Sequence, residues 1–189
     1  MDRMIDRAFL HGAYIPYDGV FSFVADLRRM ETEIANLVTS DPARTVTLYE
    51  TFIAGCHEKA EDLDDSDGEF GTFGGSLFLG WIKARQAAGA DPGETATLLL
   101  ARMNDDDYGF LNDLERSIVK VLDRAGLQAF ELEIRARFDK ECAALAERKG
   151  PAKPNHYPRD RWGGMLRFIY AEQRDIDKYL DLTERTQLT

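Results

Sequence analysis

Between Arg44 and Phe138 the apolar residues recur at steps of three and four, so that each successive segment has one apolar face. This spacing is typical of amphipathic α-helices, and no alternating strand pattern separates the segments. Each segment ends at a glycine or an acidic cluster, where helices commonly stop. Helices joined by short connections pack as antiparallel pairs. The sequence therefore predicts an all-α fold with six to seven helices in antiparallel hairpins, arranged as an α-α superhelix or an irregular bundle.

The helix boundaries are predicted from glycine, proline and capping residues. Gly71, Gly74 and Gly75 indicate a flexible turn, and Gly126 is expected to end a helix. The three prolines of GPAKPNHYP predict a linker at 150–158 before a C-terminal helix at 160–186. A length of 189 residues fits one domain, 1–189. Among the predicted helices are Asp2–Leu10, Asp18–Val38, Pro42–Leu63, Leu77–Ala88, Leu111–Ala125 and Leu127–Glu147.

The charge is acidic and unevenly distributed. There are 34 Asp and Glu against 24 Lys and Arg, a net charge of −10, so nucleic acid is not an expected partner. Acids dominate from Asp41 to Glu115, whereas Arg135 to Arg174 is basic. Either this bias is an ordinary solvated surface, or the two ends attract each other, or the basic end recruits an acidic partner.

The sequence also gives an expectation for the cellular location of the protein. The N-terminus is too charged for a signal peptide, and no apolar run approaches the roughly 18 residues of a membrane span. These features predict a cytoplasmic protein that does not bind a membrane.

The acidic run DLDDSDGEFG (Asp62–Gly71) is a candidate calcium-binding loop. Placing Gly68 at position six of an EF-hand loop puts Leu63 at position one and Gly74 at position twelve, where oxygen ligands are required. The run is therefore not an EF-hand, and the alternative is a solvated turn that caps the next helix. A looser metal site remains a weak alternative; its candidate ligands are Asp62, Asp64, Asp65, Asp67, Glu69 and His57.

No other constellation for catalysis is evident. Glu50, His57 and Glu61 share a helix face, but nothing local completes a zinc site. Cys56 and Cys142 lie on apolar stripes, which indicates buried thiols without a disulfide. Trp81 and Trp162 are predicted to be core residues, although together with Tyr108, Tyr157, Tyr170 and Tyr179 they could line a peptide groove. In the C-terminal helix, an apolar stripe is expected to be buried; it consists of Trp162, Met165, Ile169 and Ile176. We accordingly expect no catalytic residue, no metal and no cofactor.

Four segments resemble an uncharacterised bacterial helical family. They are HGAYIPYDGVFSFV (His11–Val24), Leu48–Gly71 with its DDSDGEFG turn, LFLGWIKARQAAGAD (Leu77–Asp91) and GLQAFELEIRARF (Gly126–Phe138). Some members of that family are attached to SWIM zinc-finger proteins. The resemblance covers roughly Ala8 to Asp139 and implies a tetratricopeptide-like fold. It implies no activity, and the cysteine and histidine cluster of a SWIM finger is absent from this chain.

Three functional hypotheses follow. The first is a non-enzymatic helical-repeat module that binds a protein or peptide, with a homodimer through the helix at 160–186 left open. The alternative is a metal- or small-ligand-dependent enzyme centred on the acidic loop 62–69 and His57. The third is a regulator whose basic end, Arg135 to Arg174, contacts nucleic acid or an acidic protein.

Overall fold

The computed structural model describes residues 2–9, 14–147 and 156–186. Over these ranges the chain is all-α, as predicted, and has nine α-helices where six to seven were expected. The β-structure there is a single isolated bridge between Ile15 and Leu63. The helices are α1 (Asp2–Phe9), α2 (Tyr17–Ala35), α3 (Pro42–Lys59), α4 (Glu69–Ala87), α5 (Pro92–Asn104), α6 (Glu115–Val121), α7 (Arg124–Glu147), α8 (Tyr157–Gln173) and α9 (Ile176–Thr186).

The contacts of the chain group it into two compact units where the sequence predicted a single domain over 1–189. The first unit comprises Met1–Asp91 and Leu99–Leu114, and the second comprises Pro92–Leu98 and Glu115–Thr189. Helix α5 is thus divided between them. No helix in the described ranges is long and apolar enough to cross a membrane.

The core of the first unit is built on α3 and α4, with α1 packed on α3 and α2 packed on α4. Trp81 is completely buried, as the sequence predicted, and its indole Nε1 donates a hydrogen bond to Glu50 at 3.1 Å. Phe52 and Phe73 meet edge to face at 5.6 Å between ring centres. Burial of such large side chains contributes about 1.5–3 kcal/mol each, which makes this cluster a principal source of the unit's stability.

The glycines near the start of α4 lie inside the helix, so the prediction of a flexible turn there is wrong. A Cβ on Gly74 would lie 2.9 Å from the Phe110 ring, and one on Gly75 would lie 2.5 Å from the Phe110 carbonyl oxygen. These residues are glycine because the 110 segment packs against the helix backbone. Gly68, at φ +74°, precedes the helix in the left-handed conformation that glycine adopts readily.

In the second unit α8 packs against α6, α7 and α9. The C-terminal helix predicted at 160–186 is two helices. Arg174 adopts φ 57° and ends α8, and the Asp175 carboxylate accepts a hydrogen bond from Lys178 N at 3.1 Å as α9 begins. Arg174 thus ends α8 in the left-handed conformation, and the next residue, Asp175, caps the start of α9. Because α8 packs on α7 of its own chain, its buried face is occupied within one molecule.

Two further boundaries differ from the sequence prediction. Gly126 does not end a helix; its N–H donates to the Asp123 carboxylate at 2.7 Å in the first turn of α7. In the predicted linker 150–158, Pro158 lies within the first turn of α8, where proline is tolerated. Residues 150–155 and the predicted end of the first helix at Leu10 lie outside the described ranges.

Candidate functional site

The acidic loop caps a helix. Asp65 accepts hydrogen bonds from Phe70 N at 2.8 Å and from Gly71 N at 2.7 Å, so it satisfies two N–H groups that would otherwise lack partners at the start of α4. These bonds also occupy the backbone N–H groups that an anion would use there. The helix-capping alternative offered from the sequence is therefore confirmed for Asp65.

Three other candidate metal ligands of the acidic loop contact separate partners. Asp62 lies 3.8 Å from the Lys59 ammonium, Asp64 accepts from Ser66 N at 3.2 Å, and Glu69 pairs with Arg28 at 3.0 Å. Asp67 is exposed in the turn. Within the described ranges, no group of three or more His, Cys, Asp or Glu side chains is placed to hold a metal ion.

His57 lies in an aromatic setting. Its ring meets Phe110 edge to face at 4.8 Å and lies 5.8 Å from the Tyr108 ring. Burial lowers the pKa of His57, with Arg102 acting in the same direction and Asp106 and Asp107 opposing. The imidazole is therefore biased towards its neutral form.

A cavity of about 630 Å³ opens beside His57 in the first unit. Tyr108 Oη donates to Glu61 Oε1 at 2.9 Å, and that bond raises the pKa of the phenol. Lys59 is buried against the cavity. The carboxylates of Glu58, Glu61 and Asp62 also line it. These are bases and hydrogen-bonding groups; among the residues that the structure describes, no cysteine or serine side chain lines the cavity.

The cysteines are not activated. Cys56 is fully buried, and burial raises the pKa of its thiol. Burial also raises the pKa of half-buried Cys142, against the opposing effect of Arg185 and Arg159. Since the thiolate is the nucleophile, the raised pKa values lower the fraction of reactive thiolate at both cysteines at neutral pH.

The second unit carries a groove of about 520 Å³, hereafter the cationic groove. Arg116 and Lys120 of α6 line it, as do Arg167 and Phe168 of α8; Glu172 is the one carboxylate among the described lining residues. Arg116 and Lys120 are one turn apart and share a helix face. The opposite face of α8 buries Trp162, Met165, Leu166 and Ile169, so the groove face of α8 is fixed by its core contacts.

Two of the groove cations are held in place by aromatic rings. The Arg116 guanidinium lies 4.8 Å from the centre of the Phe168 ring. Arg167 Nη2 donates to Tyr179 Oη at 3.0 Å. An arginine has five N–H donors, so these contacts leave most of them available to a ligand.

The groove cations differ in their ion pairing from two other arginines of the unit, Arg137 and Arg159. Arg137 pairs with Glu133 at 2.6 Å, and Arg159 pairs with Asp160 at 2.6 Å. In the described part of the second unit, Arg116, Lys120 and Arg167 form no ion pair with a carboxylate. Within the described part of the basic stretch from Arg135 to Arg174, Arg137 and Arg159 thus have carboxylate partners in their own chain, whereas Arg167 of the groove has none.

Exposed apolar side chains of α9 lie beside Tyr179, which lines the groove. Trp162, Met165 and Ile169 are buried as the sequence predicted, but Ile176 is 69% exposed and Leu180 is 54% exposed. The expectation that Ile176 belongs to a buried stripe is wrong, because α9 turns a different face, that of Leu182 and Thr186, to the core. Tyr179 and Leu180 lie three and four residues after Ile176, so each of them neighbours Ile176 on the surface of α9.

Sequence reasoning missed Arg116 and Lys120 as site residues. Their spacing of four on α6 was visible, but nothing in the sequence placed α6 beside α8. The tyrosine groove was anticipated only in general terms, and Tyr179 is the member of that set that lines the cationic groove.

Comparison with family models, curated proteins and solved structures finds no match to this chain. The resemblance to the SWIM-associated helical family therefore stays a prediction.

Proposed function

We propose that this chain is a non-enzymatic protein-interaction module and that the cationic groove is its binding surface. One observation carries the proposal: three cations without an ion-pairing carboxylate surround an open groove on packed helices. Fixed, uncompensated charge attracts a partner of opposite sign and sets which surfaces associate. The helical fold supplies the rigid support that such a surface needs.

The enzyme alternative has less support. Two of its candidate residues have structural roles, since Asp65 caps α4 and Glu69 pairs with Arg28. Neither cysteine is activated, because both thiols have raised pKa values. The His57 cavity retains acid–base groups, but its described lining includes no cysteine or serine, and the described residues include no group of three or more His, Cys, Asp or Glu placed to hold a metal ion.

Gly164 offers a direct test, because it lines the groove and a Cβ there would have no heavy atom within 4 Å. Gly164→Trp should fill the groove while leaving the core contacts of α8 intact. Gly164→Ala is the matched control, since alanine adds one methyl group and favours a helix.

Proteins bound to the full chain in the native host should be recovered with the wild type and with Gly164→Ala. They should be lost with Gly164→Trp, and circular dichroism should show all three chains equally folded. Recovery of the same proteins with Gly164→Trp, or of none with the wild type, would contradict the proposal.

A further inference from the structure

We propose that the occupant of the cationic groove is an acidic peptide segment that also carries bulky apolar side chains. Its carboxylates contact Arg116, Lys120 and Arg167, and its apolar side chains cover Ile176 and Leu180. The inference rests on the proposed function and specifies the chemistry of the partner.

The positive charge of the groove favours a peptide with acidic side chains. Arg116 and Lys120 lie one helical turn apart, which separates their Cβ atoms by about 5–6 Å. Alternate residues of an extended peptide are about 6.6 Å apart, so carboxylates at such positions reach both cations. Arg167 adds a third donor from α8, held by its hydrogen bond to Tyr179. Arginine binds carboxylates through paired N–H groups, which gives orientation as well as attraction.

The surroundings of the groove select apolar side chains as well. Phe168 forms part of the groove wall, and Ala171 adds further apolar surface. Ile176, a neighbour of Tyr179 on α9, and Leu180 present exposed branched side chains. Burial of such surface favours association by about 25 cal/mol for each Å² removed from water. A uniformly acidic chain would leave this apolar surface uncovered and would bring its charge close to Glu172.

The distribution of charge disfavours nucleic acid as the occupant. The first unit contains twenty Asp and Glu against nine Lys and Arg, and the second contains fourteen against fifteen. A nucleic-acid surface needs a row of cations that follows the phosphates. Here Arg135 donates to the Tyr170 hydroxyl, and Arg137 and Arg159 pair with carboxylates of their own chain. Three groove cations can bind a short acidic segment but do not form such a row.

A selection from a random peptide library tests the chemistry without a known partner. The library is displayed, selected on the wild-type full chain, and depleted on Gly164→Trp to remove peptides that bind elsewhere. We expect the enriched peptides to combine Asp or Glu with Leu, Ile or Phe. Enrichment of neutral or basic peptides would overturn the inference while leaving the proposed function standing. Absence of any enrichment that depends on the groove would overturn both.

The best selected peptide is then measured by fluorescence anisotropy against matched variants. Lys120→Glu and Arg116→Glu should each weaken binding about tenfold or more, whereas Lys140→Glu, on exposed α7 surface outside the groove lining, should change it less than twofold. Replacing Ile176 and Leu180 together with serine should weaken it several-fold.

Two peptide controls separate charge from shape. A peptide with Asn and Gln in place of Asp and Glu should bind the wild type about tenfold more weakly, and a peptide with lysine at one acidic position should recover affinity for Lys120→Glu. Equal binding of the amide peptide would overturn the inference. So would a single-stranded oligonucleotide that binds more tightly than the peptide and is lost in Gly164→Trp.

Discussion

His57 packs against Phe110 and Tyr108, and burial lowers its pKa. The unfolded chain therefore binds more protons at this site than the folded chain between the lowered pKa and the ordinary value of 6.5. Over that window the free energy of unfolding rises with pH, and the contribution of His57 is lost as the pH falls below 6.5. Denaturant unfolding at several pH values, compared for the wild type and His57→Gln, should give a shallower acid-side slope for the variant. Parallel curves would contradict this account.

Trp81 is the largest fully buried side chain of the first unit. Trp81→Ala should lower the free energy of unfolding by about 3–5 kcal/mol through lost burial and the cavity left behind. Trp81→Phe, which keeps most of the ring but loses the hydrogen bond to Glu50, should cost distinctly less. Chemical denaturation measures both variants, and an unchanged midpoint for Trp81→Ala would refute its role in the core.

The role of a single residue could be predicted from the sequence where nearby residues in the chain determine that role. The apolar stripe placed Trp81 in the core, and the acidic turn before α4 indicated a cap, which Asp65 supplies. The setting of His57 was not predictable, because its ring contacts come from Tyr108 and Phe110, far along the chain. Periodicity describes one helix face at a time and does not identify the residue that packs against it.

At the scale of elements, glycines were the main cause of error in the predicted starts and ends of helices. A glycine can stop a helix, or it can sit inside one where another segment approaches closely, and the sequence does not distinguish the two. Gly74 and Gly75 are of the second kind because Phe110 lies against them. The break between α8 and α9 was missed for a related reason: Arg174 adopts the left-handed conformation without being glycine.

Two helical glycines should respond in opposite directions to the same substitution. A Cβ at Gly80 would lie 2.3 Å from Cζ of the buried Tyr49 ring, whereas one at Gly164 would meet nothing within 4 Å. Gly80→Ala should therefore lower the melting temperature despite the better helix propensity of alanine. Gly164→Ala should raise the free energy of unfolding by up to about 1 kcal/mol. Thermal melts of the two variants decide this, and stabilisation by both would show that Tyr49 does not pack against α4.

At the scale of the molecule, the charge asymmetry visible in the sequence coincides with the division into two units. The first unit holds the acidic excess, and the second is close to neutral. The all-α class was predictable from periodicity alone. The cationic groove was not, because it depends on α6 lying beside α8, and that packing is a tertiary contact between segments distant in sequence.

Calcium should have no effect on folding, because four carboxylates of the acidic loop, Asp62, Asp64, Asp65 and Glu69, contact separate partners. Melts followed by circular dichroism with about 1 mM calcium and with chelator should superimpose. A ligand that binds only the folded state raises the free energy of unfolding by RT ln(1 + [L]/Kd), so a calcium-induced rise of several degrees would reveal a site that this account lacks.

The most direct test of the central claim is to locate the bound peptide on the ¹⁵N-labelled full chain by NMR. Titration with the selected peptide should shift amide resonances of 116–120, 164–172 and 176–180, and Gly164→Trp should abolish these shifts while Gly164→Ala preserves them. Shifts centred on His57 and Tyr108, or binding that leaves α6, α8 and α9 unperturbed, would contradict the cationic groove as the interaction surface.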